Sequence, residues 1–143
     1  MTFKVKINGI FDPCCLSAIY HASTNANRSK KLWRSLKNVH NTISGPWAVC
    51  GDLMLSWIFE EKKGGRPHTL AKSLDFMDCM QECDLMDTIF TGNKFTWCNG
   101  RRRRWRISKR LDRVITNDDW YLNFWSEQEG YSDIIKEVWD QQI

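Results

Sequence analysis

The sequence predicts a mixed α/β fold, and three observations carry that expectation. Short segments with period-two alternation or a continuous apolar core begin near residues 3, 16, 47, 94 and 110. Two longer stretches, 28–43 and 70–83, place apolar residues at helical spacing instead. The chain has 143 residues, of which 42% are hydrophobic and 27% charged, enough to bury one core.

The elements follow in order. Phe3 to Ile7 alternates and predicts a strand, Asn8-Gly9 a turn, and Leu16 to Ala22 a second strand, so the chain opens as a hairpin with a long loop. Arg28 to Ile43 carries Leu32, Leu36, Val39 and Ile43 on one helical face, and Gly45-Pro46 stops it. Trp47 to Gly51 is an apolar run that predicts a buried strand, closed by Asp52. Glu60 to Pro67 reads as an exposed, charged, glycine-rich loop. Leu70 to Cys83 predicts a second helix with Leu70, Leu74 and Met77 on its stripe, and Leu85 to Ile89 a short strand. Gly92-Asn93 turns into the strand Lys94 to Trp97, with Trp97 expected in the core. Asn99-Gly100 opens an arginine-rich loop, and Trp105 to Ile107 and Arg110 to Thr116 predict strands. Asn117 is the N-cap candidate for a helix from Asp118 to about Phe124. Asp133 to Gln142 predicts a helical tail capped by Ser132, with Ile134/Val138 and Ile135/Trp139 forming its apolar face.

Composition narrows the function classes. No apolar stretch approaches a membrane span, and the start of the chain lacks the apolar core of a secretory leader, which predicts an intracellular protein. The six cysteines are then expected as reduced thiols, and their spacings fit no zinc site. The net charge is +4, yet Arg101 to Arg113 alone holds eight basic residues and one acid, Asp112, so the remainder is net acidic. A local basic patch of this kind suggests a polyanionic partner. The histidines His21, His40 and His68 are too scattered to predict a site.

Asp52 closes a buried strand behind Gly51, a position where a catalytic carboxylate is often presented, and Met54 shares its side of the chain two residues on. Six segments extend the pattern: Ile19-Tyr20-His21-Ala22-Ser23; Arg28 with Leu32-Trp33; Pro46-Trp47-Ala48-Val49-Cys50-Gly51-Asp52; Glu61-Lys62-Lys63-Gly64-Gly65; Phe95-Thr96-Trp97-Cys98-Asn99-Gly100; and Arg110-Leu111-Asp112-Arg113. In this order and spacing they resemble the endonuclease/exonuclease/phosphatase superfamily, and within it the apurinic-type endonuclease domain of plant LINE (non-LTR) retrotransposons. The resemblance implies a partial two-sheet α/β sandwich with outer helices over residues 1–122. It likens residues 123–143 to the segment that follows the endonuclease domain. It further implies Mg2+-dependent phosphodiester cleavage, DNA as partner, a nuclear site of action, and no small-molecule cofactor. By the same resemblance Asp52 orients or deprotonates the attacking water, Tyr20 contacts the phosphate, and Asp112 orients a catalytic histidine.

The departures matter as much. Met54 stands where the family carries an asparagine, and a thioether cannot hold a phosphate as an amide does. The family's metal-binding glutamate belongs to a segment upstream of the opening hairpin, and no histidine follows His68 to serve Asp112. Ser132-Asp133 reads as a helix cap rather than a surviving Ser-Asp-His motif. One positioned acid–base group contributes roughly 10²–10⁴-fold to rate and one oxyanion donor roughly 10²–10³-fold, so an inactive descendant is expected. Strands missing from the sandwich would also leave an apolar sheet face uncovered. The second reading is a nucleic-acid-binding remnant that uses Arg101, Arg102, Arg103, Arg104 and Arg106 with Thr96. The third is a translated relic without a role.

Overall fold

The structure is a computed structural model that describes residues 1–6, 13–20, 26–53, 59–66, 71–90 and 92–126. Met54, His21, His68, the Asn8-Gly9 turn and the tail helix lie outside these residues. Among the described residues there are two sheets and three helices, the mixed α/β class expected. The first sheet has five strands in the order β1 (Thr2–Val5), β2 (Cys14–Tyr20), β3 (Trp47–Asp52), β8 (Asp112–Thr116) and β5 (Met86–Asp87). Only β2 and β3 run parallel, and α1 (Ala26–His40) makes the crossover between them. The second sheet orders β4 (Lys62–Lys63), β7 (Ser108–Lys109) and β6 (Trp97–Cys98).

Register divides the large sheet into two faces. Cys15 pairs with Trp47, and Ser17 with Val49, which in turn faces Ile115. Cys15, Trp47, Val49 and Ile115 pack into one core with Trp33 and Leu36 of α1 and with Phe76, Cys79, Met80 and Cys83. The last four come from α2 (Ala71–Glu82) and the residue just after it. Trp33 and Phe76 meet with ring centroids 5.0 Å apart, and Lys37 of α1 reaches Glu82 of α2 at 2.8 Å. The alternate positions point away from α1 and α2. There Val114 and Met86 remain 43% and 50% exposed, so part of this face is left open.

The stripe expected on α2 is displaced. Leu74 and Met77 are exposed, and the buried line is Ser73, Phe76, Met80 and Cys83 with Cys79 beside it. Phe76, with the largest apolar surface on the helix, faces inward, while Leu74 and Met77 turn toward solvent; Leu70 lies outside the described residues. The end of the sheet is better foreseen. Asn117 caps α3 (Asp118–Ser126), accepting from Trp120 N–H at 3.1 Å, and the same Oδ1 accepts from Trp47 N–H at 2.9 Å. α3 runs through the expected boundary between residues 122 and 123.

Three expectations in the second half need correction. Glu61 is not in an exposed loop. It ends a 3-10 turn (Phe59–Glu61), is buried, and leads into β4, which pairs with β7. Trp105 to Ile107 is not a strand. A 3-10 turn covers Arg103–Trp105, because Asn99 supplies the partners a ladder would have supplied. Its Nδ2 donates to Trp105 C=O at 2.9 Å and its Oδ1 accepts from Ile107 N–H at 3.0 Å. Trp97 is not core but 43% exposed at the sheet surface.

Glu61 owes its burial to two arginines. Arg110 donates to Glu61 at 3.3 Å and grips Asp87 through both guanidinium ends at 2.8 and 3.0 Å. Arg113 donates to Asp87 at 2.8 Å and to the other oxygen of Glu61. Each acid thus accepts from each arginine, and the ring of Phe90 covers Arg110 at 4.0 Å. Removing one member of a buried charge set leaves the others uncompensated, at a cost of roughly 3–5 kcal/mol. Glu61→Ala should therefore lower unfolding free energy in urea by about that amount. Glu60→Ala, at an exposed neighbour, should change it by less than about 0.5 kcal/mol.

Candidate functional site

The three residues singled out for chemistry stand in one row. Tyr20 of β2 pairs with Asp52 of β3, and Asp52 pairs with Asp112 of β8. Direct cross-strand partners share a face. All three therefore project from the face opposite α1 and α2, at the end of the strands where β3 finishes. Tyr20 is 82% exposed, Asp112 exposed and Asp52 half-buried. The two carboxylates stand directly opposite each other across the antiparallel pair.

Gly51 sets how close the row lies. Its φ is +134°, and a Cβ there would stand 1.9 Å from Ile19 C=O. No side chain fits, so β2 and β3 approach at this point only because residue 51 is glycine.

Thr96 also serves the row, though in a different way from that expected. Its Oγ1 accepts from Leu111 N–H at 3.0 Å and from Asp112 N–H at 3.1 Å. The hydroxyl thereby fixes the backbone that carries Asp112, and Thr96 N–H donates to Lys109 C=O at 3.0 Å. Beside these residues a cleft of about 540 Å³ opens over β8, lined by Asp112, Thr96, Asn93, Cys50 and Val114 among others.

The cationic hairpin lies between β6 and β7. Arg101, Arg102, Arg103, Arg104 and Arg106 are all exposed. Trp105 at its tip is 66% exposed with the Arg104 guanidinium 5.8 Å from its ring centroid, and Lys109 sits 5.9 Å from the ring of Trp97. Two of the eight basic residues counted in the sequence, Arg110 and Arg113, are buried in the charge cluster with Glu61 and Asp87 and do not belong to this surface.

The donors present are few for a resident metal. Asp52 and Asp112 give two carboxylates, and among the described residues no three His, Cys, Asp or Glu side chains gather into a metal-binding group. A Mg2+ ion at this pair would take most of its shell from substrate phosphates and water. His40, the one histidine among the described residues, stacks on Trp47 at 6.0 Å, at the far end of β3 from Asp52.

Sequence reasoning missed one reactive group. Cys98 is exposed, and a backbone hydrogen bond from Gly100, with the Arg106 guanidinium 3.9 Å from its sulfur, holds the thiol below its usual range. Its neighbours in sequence, Asn99-Gly100 and the arginines, were the available signal. The contrast is Cys79, whose thiol is pushed well up by its hydrogen bond to Cys83 and by burial.

Comparison with family models, with curated proteins and with solved structures returns no match. The likeness to nucleases rests on the segments quoted above.

A thiol with a lowered pKa keeps its thiolate to lower pH. Iodoacetamide should therefore modify Cys98 before the other cysteines, with a rate profile displaced to lower pH than in Arg106→Gln. Superimposable profiles would show that Arg106 does not tune the thiol.

Proposed function

We propose that this chain is a descendant of a Mg2+-dependent phosphodiester-cleaving endonuclease of the LINE type, built on part of that family's two-sheet sandwich. In this reading it has lost cleavage and kept a nucleic-acid-binding surface. The observation that carries the reading is the Tyr20–Asp52–Asp112 row: three residues chosen from separate motifs fall on adjacent strands, in register, on one face. Unrelated motif matches would have no reason to align.

Loss of cleavage is argued from the chemistry left at the row. Met54 brings a thioether to the position of the family's phosphate-holding amide. No histidine among the described residues stands near Asp112. A carboxylate pair with a tyrosine can orient water, but a phosphodiester also needs its developing charge stabilised. DNA is the partner the reading implies, met by the arginines of the 101–106 hairpin through phosphate contacts or entry into a narrow minor groove.

Two experiments test the two halves. With supercoiled plasmid and Mg2+, the chain and Asp52→Ala should give the same background, and Met54→Asn alone should not raise it. Nicking by the parent chain that disappears in Asp52→Ala would overturn the inactive reading. Duplex DNA affinity should fall steeply with salt. The five exposed arginines, each neutralising one phosphate, correspond to a log–log slope of roughly −4.5, or about 500-fold between 50 and 200 mM. A flat response, or no binding at low salt, would remove the binding half.

A further inference from the structure

We infer that the tip of the cationic hairpin takes unpaired nucleotides, with the indole of Trp105 as the surface on which a base stacks. This deepens the nucleic-acid reading above and rests on it. An arginine loop by itself distinguishes nothing: phosphates are offered equally by single strands and duplexes. The indole breaks that symmetry. In a duplex both faces of each base are covered by its neighbours, and only edges are offered in the grooves. In a single strand the faces are open, and a base gains by stacking on an aromatic ring whatever its identity.

Trp105 is presented for such a contact. Two-thirds of its surface is exposed on a folded turn. Its backbone is fixed on both sides, with N–H donating to Arg102 C=O at 2.8 Å and C=O accepting from Asn99 Nδ2 at 2.9 Å. The ring is therefore carried by an ordered backbone, which reduces the ordering cost of binding. The Arg104 guanidinium lies 5.8 Å from the ring centroid. A cation at that range is attracted by the ring, so charge and stacking surface arrive together. Trp97, 43% exposed with Lys109 at 5.9 Å, repeats the pairing of cation and indole on the adjoining strands. An exposed cation–indole pair adds about 0.5–1 kcal/mol to the loop by itself, whereas a base between phosphates meets the cation and the ring at once.

The test uses the full chain at low salt with two fluorescein-labelled probes, a short mixed-sequence single strand and the same strand in a blunt duplex. The single strand should bind more tightly and quench tryptophan emission. Trp105→Ala should weaken single-strand binding by roughly 5- to 100-fold and leave duplex binding unchanged. Trp105→Phe should keep most of the single-strand affinity, since a smaller aromatic face remains. Equal affinity for both probes overturns the inference, as does an equal loss on both in Trp105→Ala; either result leaves the cationic reading standing. Failure of both probes to bind overturns the two together.

Discussion

The structure depends on the closed set of four charges formed by Glu61, Asp87, Arg110 and Arg113. Asp87 comes from the edge strand β5, Arg113 from the central β8, Arg110 from the link between β7 and β8, and Glu61 from the turn before β4. The cluster therefore joins the two sheets. Burying ions is costly, and a buried pair often does no better than a hydrophobic replacement. What the arrangement supplies here is position. Arg113 is fixed on the face toward the helices, so the alternation of β8 turns Asp112 to the other face.

A second constraint acts on the same row from the opposite side. β3 is held between a parallel and an antiparallel neighbour, and a slip of one residue on either would send Asp52 to a different partner or turn the row to the wrong face. Gly51 allows the close approach, and Trp47 and Val49 lock the register by filling the core under α1 and α2. Trp47 adds a directional tie, donating from its indole N–H to Ser17 on β2 at 2.9 Å.

These causes mark what could be read in the sequence. Strands β2, β3 and β8 and both long helices were legible because apolar periodicity and Gly, Pro and Asn punctuation act locally. The Asn117 cap was legible for the same reason. The buried side of α2 was not: Leu74 and Met77 are as apolar as Met80, and only the sheet decides which of them it meets. Glu61 was misread because a charged residue beside Lys62, Lys63 and two glycines looks solvated, and its partners lie 49 and 52 positions away. Trp105–Ile107 looked like a strand because local sequence cannot show that Asn99 takes the hydrogen bonds a neighbouring strand would need. Tyr20, Asp52 and Asp112 could each be named from the sequence, while their alignment and the contact of Thr96 with the backbone of Asp112 required the fold.

The same distinction separates basic composition from basic surface. The run 101–113 is strongly cationic in sequence, but Arg110 and Arg113 are engaged with acids, and the exposed cations fall on a single hairpin. Only Arg110 and Leu111 lie between Lys109, the last residue of β7, and Asp112, the first of β8. Arg110 is held by Glu61 and Asp87, and the N–H groups of Leu111 and Asp112 both end on Thr96. The short link between hairpin and row is thus pinned at each residue. On the proposed reading, a polyanion held by the hairpin would meet a link that is already ordered in the free chain.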